Sequence, residues 1–136
     1  MAKFELSRNI KRVAALHPAA ANVTGNTNGL AIDMQGYDSV AFAIQSGAGT
    51  VNATNSYSIA VIESADSNIS NGTAIPAARL HGVPSTGVNA VNTVFEFGAL
   101  PRTRYCFLQL TRVGAESNAQ LAAVAILGNA AEKPTH

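Results

Sequence analysis

Two apolar stretches near the C-terminal end constrain the fold of this chain more than any other feature. They cover residues 104–112 and 121–127, and a polar segment separates them. Side chains alternate between the two faces of a strand, and in both stretches the odd and the even positions are apolar. A strand without a polar face lies in the middle of a sheet or between two layers. We therefore predict two central strands, joined by a polar turn, on which the other elements pack.

Four further segments show the apolar–polar alternation that is typical of half-buried strands. They are residues 30–34, 39–45, 57–62 and 91–97. Residues 73–89 contain Pro76, Gly82, Pro84 and Gly87, which break any long element, so we expect an irregular crossing there with one short strand or helical turn at residues 77–80. Six strands, short turns and no long helix predict an all-β fold. Its architecture would be an antiparallel β-sandwich that is jelly-roll-like in topology.

The first 21 residues differ in composition from the rest of the chain. Cations and apolar side chains alternate there, and the segment holds nearly half of the nine Lys and Arg residues. A helix capped by Ser7 fits part of the spacing, but His17 precedes a proline, and residues in that position avoid helical angles. We predict an extended N-terminal arm over residues 1–21 and a sandwich domain over residues 22–136. A solvated tail is the simpler alternative to an arm that lies on another surface.

The side chains of this arm are our candidates for binding a partner. Arg102, which lies in a loop after Pro101, is a further candidate, although a solvated side chain fits its position equally well. The complete candidate set is Lys3, Phe4, Arg8, Lys11, Arg12 and Arg102.

Charged residues make up only 12% of the chain, against roughly 25% in an average soluble domain. A surface with so few charges favours assembly with other proteins. The net charge of +1 lacks the basic bias of a general nucleic-acid-binding protein, so we expect no nucleic-acid partner. No apolar run reaches the roughly 20 residues of a membrane span, and the N-terminus lacks the apolar core of a signal peptide. We therefore expect synthesis in a cytoplasm and no membrane partner.

No side chains show the spacing of a catalytic or metal site. Cys106, the single cysteine, lies in the most apolar stretch and is expected to be a buried structural thiol. The histidines have no second ligand at a recognisable spacing, and the acidic turn at residues 63–71 lacks the pattern of a calcium loop. Its Asp and Asn side chains are instead expected to bond to nearby backbone amides. We therefore predict neither an enzyme nor a cofactor.

Several stretches resemble a group of small accessory proteins of tailed bacteriophages, the cement or decoration proteins. They are GYDSVAFAIQSG at residues 36–47, YSIAVIESADSN at residues 57–68, FEFGALPRTRYCFLQLT at residues 95–111 and AVAILGNAAEKP at residues 123–134. The resemblance is one of sequence pattern and covers roughly residues 22–134. Within the group, the chain resembles in particular the jelly-roll cement proteins of short-tailed phages. It implies a structural virion protein, made in the host cytoplasm, on the outer surface of the capsid. Such a protein bridges subunits of the major capsid protein and pairs with itself.

A homodimer is the simplest form of that self-association, because a two-fold contact is the commonest way to cover a low-charge face. We take residues 40–45 and 57–62 as candidate strands, since an edge so poor in lysine and proline invites pairing.

Two other functions fit a low-charge sandwich. One is a lectin-like, glycan-binding module of a phage head or tail fibre, although the chain has no Trp and only three Tyr to stack on sugars. The other is a neck or tail structural protein.

Overall fold

The computed structural model describes residues 10–20, 26–114 and 119–130. Within these ranges the chain forms ten strands and two 3₁₀ turns, and no helix there is long and apolar enough to cross a membrane. The strands are β1 (Lys11–Ala20), β2 (Asn26–Asn28), β3 (Ile32–Asp33), β4 (Tyr37–Gly49), β5 (Ser56–Ser64), β6 (Thr73–Ala74), β7 (Leu80–His81), β8 (Val94–Ala99), β9 (Tyr105–Val113) and β10 (Ala119–Ala130); the 3₁₀ turns are Ile69–Asn71 and Ala77–Arg79. The predicted all-β antiparallel sandwich is confirmed.

Two antiparallel sheets pack face to face. The first has the order β1-β10-β4-β8-β7 and the second has the order β2-β9-β5-β6, with β3 also paired to β9. Both apolar stretches lie inside a sheet, as predicted, but they are not neighbours: β9 pairs with β5 and with β2 and β3, whereas β10 pairs with β1 and β4. They bury one face each in the same core from opposite sides. The segment between them therefore connects the two sheets and is not the turn of a hairpin.

Residues 40–45, one of our two candidate strands for a dimer contact, do not form a sheet edge. As part of β4 they lie between β10 and β8, so their backbone groups are paired on both sides. The strand over residues 57–62 is more open. It pairs with β9 along its whole length. On its other side, the described residues that bond to its backbone are those of β6, Ile75, whose N–H donates to the Val61 carbonyl at 2.8 Å, and Val88, which forms a bridge with Tyr57.

The core lies between the sheets and follows the predicted alternation. Val40, Phe42 and Ile44 of β4 are buried, and the ring of Phe42 stacks on that of Phe97 with centroids 5.2 Å apart. Leu108 and Leu110 of β9 face them from the second sheet and are also fully buried. Burial of these side chains is the main source of stability for a domain of this size.

The second half of the predicted arm is a strand of the sandwich. Residues 11–20 are extended, as favoured over a helix, but they pair with β10 along the edge of the first sheet. Ala15 is fully buried in the core, and Val13 and Leu16 pack against it. The arm as predicted, residues 1–21, therefore includes a segment that completes the core, because its apolar side chains fill the edge between the sheets. Lys3, Phe4 and Arg8 lie outside the described residues.

The predicted irregular crossing contains both a short strand and a helical turn, where one of the two is expected from the sequence. The 3₁₀ turn Ala77–Arg79 is followed directly by the short strand β7, which pairs with the end of β8. This arrangement brings the turn next to the loop between β8 and β9.

Candidate interaction surface

One end of the sandwich carries most of the described cations, and we call it the cationic end. The register of the first sheet places Lys11 in line with Leu127, Val40 and Ala99, so the start of β1 and the end of β8 lie at the same end. The loop that follows β8 leads into β9 beside Asp33. Five of the six Lys and Arg residues in the described ranges lie here: Lys11, Arg12, Arg79, Arg102 and Arg104.

Glu63 fixes the loop between β8 and β9. Its Oε1 accepts a hydrogen bond from Arg79 Nη2 at 2.6 Å, and its Oε2 accepts bonds from Arg79 Nη1 at 2.9 Å and from the Arg102 backbone N–H at 2.8 Å. Arg79 Nη1 also donates to the Leu100 carbonyl at 3.1 Å, and the Leu100 N–H donates to the Arg79 carbonyl at 3.0 Å. The hydrogen bonds from Arg79, more than those from the Arg102 backbone, hold the pKa of Glu63 below its usual value.

We refer to this network as the Glu63 clamp. The two charged side chains are only 9% and 15% exposed, so the clamp ties β5, the second 3₁₀ turn and the loop together in a largely dry site. A bidentate pair of this kind has a fixed geometry, which makes the loop a rigid element.

The clamped loop presents an apolar and a cationic side chain to solvent. Leu100 is 52% exposed, and Arg102 is exposed with no ion-pair partner among the described residues. Arg104 behaves differently, because it forms a two-point pair with Asp33 at 3.2 and 3.0 Å and lies over the ring of Tyr105. Of the two arginines in this loop, Arg102 is therefore the one whose charge is available to a partner.

An open groove of about 510 Å³ lies beside Leu100 on the first sheet. Its walls are mostly aliphatic, with one imidazole and one guanidinium at the margin. The residues that shape it include Ala41, Leu80, His81, Gly98, Leu100, Ile126 and Arg79. No aromatic carbocycle for stacking on a sugar is among the described residues that line it. The groove has the size and lining to accept an apolar side chain of another protein.

The two described cations of the predicted arm lie on β1, on opposite sides of the first sheet. Lys11 is level with the buried Leu127, and its charge contributes, after the bonds from Arg104 and the Gln35 N–H, to the lowered pKa of Asp33. Arg12 is level with Ile126 and faces outward. Both are exposed, and neither has an ion-pair partner in the described part of the chain.

Sequence reasoning identified Arg102, Lys11 and Arg12 but missed the clamp and Leu100. The sequence signal for the clamp was the position of Glu63 in β5. Glu63 lies two positions after Val61 and four after Ile59, so its side chain points to the same, inner face of the strand. A carboxylate at such a position needs a cation or several donors. No comparable signal distinguished Leu100 from the other apolar residues near it.

Two predictions about chemical groups are confirmed. Cys106 is fully buried, and burial, with a smaller contribution from the charge of Glu63, raises its pKa to about 12. In the acidic turn, Asp66 accepts from the Asn68 N–H at 2.9 Å and Asn68 accepts from the Ser70 N–H at 3.0 Å, so these side chains shape the backbone. Within the described residues, no three His, Cys, Asp or Glu side chains lie close enough together to hold a metal ion.

No protein-family model matches the chain, and a comparison with curated proteins finds no significant match.

Proposed function

We propose that this protein is a structural virion protein that binds the outside of a phage capsid and stabilises the shell by bridging subunits of the major capsid protein. It is not an enzyme and uses no cofactor. The observation that carries the proposal is the clamped loop, which presents Leu100 and Arg102 beside an apolar groove. The exposed Lys11 and Arg12 lie at the same end.

The clamped loop is suited to contact with another protein. A loop that is already ordered loses little conformational entropy on binding, so more of the contact energy contributes to affinity. Leu100 supplies apolar area, and the cations favour an acidic surface on the partner. The resemblance to cement proteins supports the major capsid protein as that partner.

The stabilisation follows from binding equilibrium. A protein that binds across the boundary between subunits binds only the assembled shell, and a ligand stabilises the state that it recognises. Many copies on one shell add their contributions, so each contact can be weak.

We also propose a jelly-roll topology for the sandwich. The supporting observation is the strand order, in which β1 pairs with β10 and β4 with β8 in one sheet, while β2 pairs with β9 and β5 with β6 in the other. Pairing of the first described strand with the last described one, and crossing between sheets along the chain, are features of this class of fold.

Co-sedimentation tests the function. The protein is mixed with expanded, DNA-free capsids of the phage that encodes it, and separately with the unassembled major capsid protein. We expect binding to the capsids alone, and Leu100→Asp and Arg102→Glu should each weaken it at least about tenfold. Val113→Asp is the matched control, because Val113 is 45% exposed at the opposite end of β9 and should not affect binding.

Equal binding to unassembled subunits would overturn the bridging role. Binding to glycans on an array, without binding to capsids, would favour the lectin-like alternative. Density for the protein at the neck or tail in electron micrographs of virions, and none over the capsid lattice, would favour a neck or tail component.

A further inference from the structure

The first sheet is open along half of β8. This strand pairs with β4 over its whole length, but on its other side β7 pairs only with Gly98 and Ala99. The pairing ends at His81, and the next residue, Gly82, has a φ of +74° and takes the chain out of line with the sheet. No described strand therefore fills the position beside residues 94–97.

The hydrogen bonds around β8 show which backbone groups this leaves open. In an antiparallel sheet, successive residues direct their N–H and C=O groups alternately to the two neighbouring strands. The Thr93 carbonyl accepts from the Ser46 N–H of β4 at 2.9 Å, whereas the Leu100 N–H donates to the other side, to the turn before β7. The N–H and C=O groups of Val94 and Glu96 therefore point out of the sheet edge, where no described residue bonds to them.

This open edge lacks the features that usually protect an edge strand, namely lysine, proline and bulges. The strand β1, at the opposite edge of the same sheet, has all three: Lys11, Pro18 and two shifts of register. Residues 94–97 read Val-Phe-Glu-Phe and pair with β4 in an unbroken register. An edge of this kind favours the addition of an extended segment from another chain.

The side chains beside the edge determine which segment fits. Val94 and Glu96 point to the solvent face of the sheet, and Phe95 and Phe97 point to the core side. Phe95 packs against the core but is only partly buried, so its ring has room for a neighbour on the next strand. Glu96 is exposed, with no ion-pair partner in the described ranges. An added strand would place one side chain opposite each of these residues, on alternate faces.

We propose that an extended segment of another protein adds to the first sheet beside β8, with a Lys or Arg opposite Glu96 and an apolar side chain opposite Phe95. Its backbone bonds to the four open groups of Val94 and Glu96, and its side chains give the preference for a basic, apolar alternation. The site lies at the other end of β8 from the clamped loop and attracts the opposite charge. The inference therefore goes beyond capsid binding and does not depend on it.

A second copy of this chain fits the same edge less well. The antiparallel register that uses all four open groups places Val94 of each copy opposite Glu96 of the other. The two Glu96 side chains then lie diagonally on one face, about 7–8 Å apart, and like charges at this distance disfavour the pairing. A basic segment of a different protein meets no such repulsion.

Hydrogen exchange measured by NMR on the purified protein tests whether the edge is open. The amides of Val94 and Glu96 should exchange at least about tenfold faster than those of Phe95 and Phe97, which bond to β4. Protection of the first two amides in the dilute protein would overturn the proposal, because the chain itself would then cover the edge. Protection that appears only as the protein concentration rises would also overturn it, in favour of a second copy.

Peptide titration followed by NMR tests the occupant. The probe is an end-blocked peptide of about eight residues in which Val and Lys alternate, which is long enough to cover the open edge. We expect a dissociation constant between about 0.1 and 1 mM, and slower exchange at the two edge amides on binding. A peptide with Glu in place of Lys should bind at least about tenfold more weakly. Methylation of the Lys backbone nitrogens should abolish binding, because it removes the donors that face the edge.

Two variants locate the contact. Glu96→Lys should reverse the preference, so that the Glu-containing peptide binds the more tightly. Val94→Pro removes an edge N–H that no described residue uses, at the first position of β8, where proline is tolerated; it should weaken binding several-fold. Asp38→Lys is the matched control, because Asp38 is an exposed carboxylate at the far end of the neighbouring β4, and it should leave binding unchanged.

Three results would overturn the proposal: no binding of the Val–Lys peptide at about 5 mM, equal binding of its N-methylated form, or an unchanged preference in Glu96→Lys. The NMR spectrum of each variant establishes that the fold is intact. Glu96→Lys changes only an exposed side chain, so the test of charge preference remains decisive if Val94→Pro fails to fold.

Discussion

Glu63 and Arg79 form a two-point ion pair, with N···O distances of 2.6 and 2.9 Å, that joins the second sheet to the turn before β7. The pair lies where β5 ends and where the loop after β8 returns toward β9. Because Glu63 also holds the Arg102 N–H, this single carboxylate determines the position of the loop that we assign to capsid binding.

Replacing Glu63 by Gln should destabilise the fold. The substitution keeps the size of the side chain but removes the charge and one acceptor, so donors in a mostly dry site lose their partner. We expect the free energy of unfolding to fall by about 1–3 kcal/mol, measured by urea denaturation. Asp33→Asn is the control, because the Asp33–Arg104 pair is 40–50% exposed and solvent screens it; its effect should be clearly smaller. Equal effects of the two variants would contradict the burial argument.

Acidification should lower the free energy of unfolding of the wild-type protein more than that of the Glu63→Gln variant. The pKa of Glu63 in the folded state is lowered, chiefly by the hydrogen bonds from Arg79, from an ordinary value of 4.5. Its contribution is therefore complete above about pH 4.5 and is lost as the pH falls through the lower, folded-state pKa. Asp33 and Asp66, whose pKa values are also lowered, contribute equally to both proteins. The difference between the two curves of unfolding free energy against pH should shrink as the pH falls below 4.5; a constant difference would contradict the assignment.

The alternation of apolar and polar residues located the strands, because it indicates which side chains of a strand are buried. This pattern lies within each strand and can be read from the sequence of that strand alone. It placed Val40, Phe42 and Ile44 correctly on the inner side of β4. The same pattern does not indicate which strands are hydrogen-bonded neighbours in a sheet. The two strands at residues 104–112 and 121–127 therefore looked like a pair, although they belong to different sheets.

Their two-sided apolar character also has two different causes. Phe107 points away from the main core but is buried beside Ile62, against which Gly72 lies. Val124 points away from the core and stays exposed. One outer face is covered by this chain, and the other is left open. Only the three-dimensional arrangement distinguishes them. For the same reason, candidate cations could be predicted from the pattern but the clamp could not, because it joins residues far apart in the chain.

Gly87 should tolerate substitution less well than Gly82. It has a φ of +66°, and a Cβ there would collide with the Tyr57 carbonyl, whose strand forms a bridge with Val88. We expect Gly87→Ala to lower the free energy of unfolding by at least about 2 kcal/mol, through both strain and displacement. Gly82→Ala is the matched control: its φ is +74°, but no atom lies within 4 Å, so only the strain of about 1 kcal/mol applies. If thermal or urea unfolding shows similar losses of unfolding free energy in the two variants, the close approach of Gly87 to Tyr57 does not contribute to the effect of the substitution.

Cys106 should be unreactive in the folded protein. It is fully buried in β9, and burial raises its pKa to about 12, so at pH 8 only about one molecule in ten thousand carries the thiolate that attacks a disulfide reagent. We expect no labelling by such a reagent over hours in buffer and stoichiometric labelling in concentrated urea. In Gly87→Ala the native-state labelling rate should rise, because a less stable fold opens more often. Labelling of the wild-type protein at the rate of a free thiol would mean that β9 is accessible from solvent, contrary to its place in the middle of the second sheet.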